Sequence, residues 1–173
     1  NEGDFLLKTI QLTQGQTATV CDCHAHLVEK YKWHAVKDTD TESYYAARKT
    51  SVLLGRKIIK MHRVINGTPP GFQTDHIDGD TLNNQCTNLR TATYAQNMSN
   101  QGLSAHNTSG YKGVSWYKRG KRWRSEIQSG GNHFYLGLFN TPEQAARAYD
   151  KAALKLHGDF ANTNFPKEQY KND

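Results

Sequence analysis

Residues 74–97 read TDHIDGDTLNNQCTNLRTATYAQN. The stretch crowds an adjacent Asp75-His76 pair, two further carboxylates (Asp78, Asp80) and four asparagines around few apolar side chains. One reading is a solvated loop, in which Asn and Asp bond their own backbone. The other is a site for phosphodiester hydrolysis. That chemistry needs a base to take a proton from water, a hard cation to screen the phosphate, and oxygen ligands to fix the cation. Neighbours on a strand point to opposite faces. At a strand end, however, one of the pair can face a metal while the other faces the scissile phosphate. DGDTLNN is a turn-rich loop that can return the chain into a second short strand, NLRTAT. A helix starting near Tyr94 would then carry Asn97 inward.

The bulk of the chain favours small modules. Its 173 residues allow one domain or two small ones. The 36% apolar content and mean hydropathy of −0.82 suit units with much exposed surface. A net charge of +6 points to an anionic partner. The excess is uneven. Residues 1–100 carry 11 Lys/Arg against 10 Asp/Glu, and residues 101–173 carry 11 against 6. Double-stranded DNA is the expected partner, with a merely solvated basic face as the alternative. No apolar run approaches the roughly 18 residues of a membrane span, so no membrane partner is expected. No signal peptide is visible. Three cysteines cannot all pair, which excludes a disulfide scaffold and suits a reducing intracellular compartment.

Outward from the opening stretch, KTIQL and TATVC alternate around QGQ as a β-hairpin. Asp22 is placed to cap a helix, CHAHLVEKYKW, with Leu27, Val28 and Tyr31 on one face. SYYAARK and RKIIKMHR are expected to be strands around Leu54-Gly55. Asn66-Gly67 and Pro69-Pro70-Gly71 end whatever precedes them. Residues 99–109 are polar and Gly/Ser/Asn-rich, with no apolar period, and are assigned as a linker. Beyond them, YKGVSWY, KRWRSEIQ and HFYLGLF alternate as three strands joined by the tight turns KRGK and SGGN. A helix follows, with Thr141 at N-cap, Pro142 at N1, Glu143 in the first turn and Gly158 past the end. Ala145, Tyr149, Ala152, Ala153 and Leu156 share one of its faces.

The Asp-His-Asn stretch resembles the HNH endonucleases of the phage and intron-encoded homing branch. The likeness rests on MHRVING, on Thr74 through Asp80, and on Leu82-Asn83-Asn84. It continues through Asn88-Leu89-Arg90 and Ala95-Gln96-Asn97. KYKW and YYAAR upstream extend it. The resemblance implies a ββα-metal finger, with His76 as general base, Asn88 as the loop-fixing asparagine, and Asp75 and Asn97 as metal ligands. It implies cleavage to 5′-phosphate and 3′-hydroxyl ends. Asn97 stands where the family often has His, which favours Mg²⁺ or Mn²⁺, one ion per active site. Asp78, Asp80 and Asn84 are assigned to loop shape and His62 to packing. Arg63 and Arg90 are candidates for phosphate contact, with partial solvation as the alternative.

CDCHAH, residues 21–26, offers two thiols and two imidazoles. Structural zinc sites usually pair two Cys/His knuckles. Cys21-x-Cys23 has no second pair and Cys86 stands alone, so zinc is not expected.

KRGKRWR places five Lys/Arg within residues 118–124 around Trp123. Alternation sets Arg122 and Arg124 on one face and Trp123 on the other. A basic face on a twisted sheet can enter the DNA major groove; a solvated hairpin tip is the alternative. Residues 110–166 resemble the AP2 DNA-binding domain of plant transcription factors and phage endonucleases. The likeness rests on GYKGV, Trp123, Glu126-Ile127, Tyr135-Leu136-Gly137, Phe139-Asn140-Thr141, AARAYDKAALKLHG and Asn164-Phe165. It implies DNA contacts from Lys112, Ser115, Trp123, Arg124 and Tyr135, with phosphate contacts from Arg119, Lys121 and Arg122. Ser115 replaces a typical arginine, so the plant sequence preference is not carried over.

The expected architecture is α+β. An N-terminal β-hairpin region leads into a ββα-metal finger, then a three-stranded antiparallel sheet packs on one helix. The expected boundaries are 1–98 for the nuclease domain (finger core about 60–98), 99–109 for the linker, 110–166 for the AP2-like domain and 167–173 for a tail. The expected function is metal-dependent, site-directed DNA cleavage, with the sheet positioning the nuclease. A monomer is expected to nick, and a homodimer would make a double-strand break. A phage or mobile-element origin with action in a bacterial cytoplasm fits this set. The rivals are a DNA-binding regulator with a silent nuclease half, and a zinc-stapled adaptor.

Overall fold

The computed structural model describes residues 6–39, 43–104 and 106–171. The last two residues of the expected tail lie outside them. The chain divides into two compact units, residues 1–94 and 95–173.

In the first unit, β1 (Leu7–Gln11) and β2 (Thr17–Cys21) form the expected antiparallel hairpin. The helix expected after it is one turn only, α1 (Asp22–Ala25). Beyond it the chain continues in turns, and Trp33 Nε1 donates to the Val28 carbonyl (2.8 Å). Then come β3 (His34–Lys37), β4 (Tyr44–Lys49) and β5 (Ile58–Lys60), an antiparallel sheet in chain order. The strand expected through MHR instead turns helical at Met61. This is α2 (Met61–Asn66), closed by Gly67 in the left-handed region at φ 59°. Met61 and Ile65, one helical turn apart, are both buried, which explains the change of period.

β6 (Gln73–His76) and β8 (Leu89–Ala92) pair antiparallel, with Asp75 opposite Arg90 and His76 opposite Leu89. Between them the two-residue β7 (Asn83–Asn84) leaves this hairpin and pairs parallel with β2. The core of the unit is Ala18, Val20, Ala25, Val28, Trp33, Ala46, Met61, Ile65 and Leu89. It draws on the hairpin, α2 and β8 together. α3 (Tyr94–Asn100) begins two residues after β8, and from Ala95 onward it belongs to the second unit.

The second unit is a three-stranded antiparallel sheet on one helix. β9 (Val114–Tyr117), β10 (Arg122–Ser129) and β11 (Asn132–Phe139) pair with β10 in the centre. A bulge falls at Ser125/Glu126. α4 (Pro142–His157) packs beneath, its N-terminus capped by the Thr141 hydroxyl, which accepts from Gln144 N–H (3.3 Å). Its buried positions are Ala145, Ala146, Tyr149, Asp150 and Ala153. Asp150 is absent from the apolar stripe, yet its carboxylate is fully buried. It accepts from the backbone N–H groups of Asn164 and Phe165 and from the Tyr170 hydroxyl. These bonds satisfy a charge that would otherwise be costly to bury, and they tie the C-terminal segment to the helix.

Gly113 marks the tightest approach of sheet to helix. Its φ is +73°, and a Cβ there would lie 2.0 Å from the Tyr149 ring and 2.7 Å from the Glu126 carbonyl oxygen. Gly113→Ala is expected to destabilise the second unit by about 2–5 kcal/mol, from left-handed strain plus overpacking. Denaturant unfolding of wild type and variant checks this.

Candidate functional site

The C-terminal end of β6 carries the candidate chemistry. Asp75 and His76 are each about 5% exposed. The Asp75 carboxylate is held across the hairpin by Arg90. Arg90 Nε donates to Oδ2 at 2.7 Å, and the second guanidinium nitrogen lies 2.7 Å from the same oxygen. The register explains this, since the two residues are direct partners. Arg90, expected to meet phosphate, is thus engaged with Asp75. Arg63 donates to the backbone carbonyls of Phe72, Thr68 and Pro69, holding the turn after α2.

His76 Nε2 lies 3.4 Å from Asn84 Oδ1. Asn84 is fully buried on β7 and also donates to the Leu82 carbonyl (3.1 Å). His62, on α2, packs its ring edge-on to His76 at 5.0 Å between centroids, and Tyr45 of β4 lies 5.5 Å from His62. Burial is the leading cause that pushes the His76 imidazole below its ordinary value. The contact with Asn84 and the charges of Asp78, Asp75 and Asp80 pull the other way. His62 is pushed down to about 3, by burial first and then by His76, Lys60 and Arg63. Tyr45 and the side-chain contact of Asn84 went unremarked in the sequence. Residue spacing does not show that β4 and β7 pass the end of β6.

Asn88 closes the loop between β6 and β8. Its Oδ1 accepts from Asp78 N–H (3.0 Å). Its Nδ2 donates to Asp78 Oδ1 (2.8 Å) and to the Asn83 carbonyl (2.9 Å). Asp78 also accepts from Asp80 N–H and from Asn83 Nδ2, and Asp80 accepts from Leu82 N–H. Burial pushes Asp78 up, but the bonds from Asn88, Asn83 and Asp80 outweigh it and hold the carboxyl below its ordinary value. Asp78 and Asp80 therefore shape the loop. Asn97 sits partly buried in the first turns of α3.

The cysteines require a correction. The Sγ atoms of Cys21, Cys23 and Cys86 all lie within 4.8 Å of one another. Three thiols so placed are soft donors of the kind associated with zinc. This overturns the expectation of a single Mg²⁺ or Mn²⁺ with no zinc. That reading treated Cys86 as isolated because it is 65 residues from Cys21 in sequence. The β2–β7 pairing brings it back to the end of β2.

In the second unit, Arg122 and Arg124 alternate with Trp123 as expected. Trp123 packs against the core of Val114, Ala145 and Ala146, with its ring 5.0 Å from the Trp116 ring. The opposite face presents Arg124, while Arg122 lines a hollow with Gln144, Arg147, Ala148 and Lys151 of α4. Ser115 and Tyr117 on β9, and Glu126 and Tyr135 near the bulge, are their cross-strand and same-face neighbours. Arg124 Nε lies 3.3 Å from Glu126 Oε2 and 3.4 Å from Ser115 Oγ. Arg119 and Lys121 are exposed at the turn, and Tyr135 is 60% exposed. Lys112 is differently employed. Its Nζ donates to the Ser99 (2.7 Å) and Gln101 (2.5 Å) carbonyls at the end of α3, and burial lowers it to about 8.

Comparison with known proteins matches both units. Residues 60–99 match the HNH endonuclease family and residues 109–159 the AP2 domain. Protein 3.8 of Escherichia phage T7 is 36% identical over 107 residues, which is 61% of this chain and 88% of that protein. An uncharacterised HNH endonuclease of Acanthamoeba polyphaga mimivirus is 34% identical over 139 residues, 80% of this chain and 69% of that protein. APETALA2-like protein 2 of Oryza sativa is 47% identical over 66 residues, but these are only 15% of the plant protein. No helix among the described residues is long and apolar enough to cross a membrane.

The buried histidines make stability depend on pH. His62 and His76 have folded values below the unfolded one, so the unfolded chain binds more protons as pH falls. Their contribution is complete above about pH 6.5 and is lost on acidification, for His62 at up to about 1.4 kcal/mol per pH unit between pH 6.5 and 3. Asp78 adds to the loss only below about pH 4. His62→Gln is expected to flatten the fall between pH 6.5 and 4, read from denaturant midpoints.

Proposed function

The chain belongs to the HNH endonucleases that carry an AP2 domain, and on that premise we propose that it is a metal-dependent DNA endonuclease positioned by its C-terminal sheet. The observation that carries the reading is His76. It is an imidazole buried at a strand end, kept toward its neutral form and oriented by an asparagine on a braced loop. With Asn84 Oδ1 as acceptor, the imidazole proton sits on Nε2 and the basic lone pair on Nδ1. His76 is the general base that takes the proton of the attacking water. Asn88 holds the loop that sets this geometry.

Asp75, on the finger's first strand, and Asn97, on its helix, are the proposed metal ligands. The Arg90 contacts on Oδ2 fix the Asp75 rotamer. A bound divalent cation would screen the scissile phosphate and stabilise the leaving oxygen. Arg90 places a second positive charge beside the same carboxylate.

The sheet face supplies placement. Arg124, held beside Ser115 and Glu126, and exposed Tyr135 are aimed at the groove, while Arg119, Lys121 and Arg122 meet phosphates. Trp123 supports this surface from behind. One such active site cuts one strand, so a monomer nicks and a homodimer makes a double-strand break. Action on DNA inside a phage-infected cell accords with the phage relative.

One observation favours the rival, a DNA-binding regulator with a silent nuclease half: Asp75 is already engaged by Arg90. Plasmid nicking separates the two. Wild type is expected to convert supercoiled plasmid to nicked circles in a panel of divalent cations and not in chelator. His76→Ala is expected to lose about 100-fold or more in rate. Equal, cation-independent behaviour of wild type and variant would establish the regulator. In binding titrations, Arg122→Ala is expected to weaken affinity across sequences and to lower the salt slope by about one. Arg124→Ala is expected to relax sequence preference as well.

A further inference from the structure

The three thiols converge where the N-terminal hairpin meets the nuclease loop. Cys21 ends β2 and is buried, Cys23 lies exposed in α1, and Cys86 follows β7 in a 3₁₀ turn. The Cys21 and Cys86 sulfurs are 3.1 Å apart, and all three lie within 4.8 Å. A tetrahedral zinc with Zn–S near 2.3 Å sets its sulfurs about 3.8 Å apart, inside this span. The backbone N–H of Cys86 donates to Cys21 Sγ (3.2 Å), a bond that favours an anionic sulfur. His24 Nδ1 lies 3.1 Å from Cys23 Sγ. Burial, then Cys21, pushes the Cys86 thiol up to about 11.

We propose that Cys21, Cys23 and Cys86 bind one structural Zn²⁺. Three thiolates are soft donors that suit zinc and not a hard, oxygen-seeking cation. Binding displaces the thiol protons, so zinc affinity falls as pH falls.

The ion holds a weak joint. β2 and β7 pair over two residues only, Thr19 with Asn83 and Val20 with Asn84, supported by Thr19 N–H donating to the Leu82 carbonyl (3.0 Å). Asn84, two residues before Cys86, is the residue that meets His76 Nε2. Zinc therefore clamps the strand that orients the imidazole. This consequence for His76 rests on the nuclease reading, whereas the metal site itself does not.

The test is metal content of full-length protein purified without a metal-affinity tag. About one zinc per chain is expected in wild type. Zinc should be lost in Cys86→Ser and in Cys23→Ser, whose exposed position keeps the fold safe should the Cys86 variant misfold. Replacement with Co²⁺ should give thiolate charge-transfer bands and the d–d bands of tetrahedral cobalt. His76→Ala should keep its zinc while losing nicking. Wild type that holds zinc but never nicks would sink the nuclease reading and leave this site standing. Wild type free of zinc, zinc retained in Cys86→Ser, or a Cys21–Cys86 disulfide in the non-reduced peptide map would overturn the site.

Discussion

The nuclease half depends on one carboxamide. Asn88 makes three hydrogen bonds across the loop, two of them to Asp78. A neutral bond contributes about 0.5–1.5 kcal/mol net and one to a charge about 1.5–3. Asn88 thus supplies a few kcal/mol to a loop whose ordering is costly in backbone entropy. What the loop does once closed is more consequential. It returns β8 against β6 in the register that sets Arg90 opposite Asp75. It also throws β7 outward, so that Asn83 and Asn84 reach β2 rather than their own hairpin. The His76–Asn84 contact and the thiol cluster both follow from that excursion.

Much of this was legible in the sequence, and the division is instructive. The Asp-His-Asn pattern, the hairpin that carries it and the whole C-terminal sheet and helix rest on local signals: period-two alternation, turn residues and caps. These survive because few long-range contacts compete with them. The misreadings share one origin. The α2 turn replaces a strand because Met61 and Ile65 find one core, and Cys86 joins Cys21 across 65 residues. Each depends on a partner distant in the chain, and no window of neighbouring residues contains it. Asp150 escaped for a related reason. A carboxylate on an otherwise apolar helix face looks like a solvated residue until its donors, twenty positions or fewer downstream, fold back onto it.

The C-terminal sheet shows how alternation divides labour on a thin module. Trp123, Ser125 and Ile127 face the helix, Arg124 lies on the other face, and Arg122 lines a hollow with Gln144, Arg147, Ala148 and Lys151 of α4. Gly113 permits the sheet to approach Tyr149 without a side chain between them. The basic face therefore needs no core residue of its own. Lys112 departs from the pattern because its ammonium group caps the carbonyl end of α3, where a helix terminus rewards positive charge. A lysine assigned to DNA by motif position is thereby spent on the junction that leads into the domain.

The joint between β2 and β7 is the point at which structure and chemistry meet. Two paired residues cannot hold a strand's register on their own. Here the segment is braced from both ends, by Asn88 through Asn83 and by the sulfur cluster through Cys86. Between these braces lies Asn84, buried and aimed at His76. For His76 as the proposed base, the precision of the ring comes from the groups that hold Asn84. An asparagine on an unbraced two-residue strand would let the ring turn. Braced on both sides, it confines the ring to one orientation, and the cysteines 65 residues apart become part of the same device as the histidine they never touch.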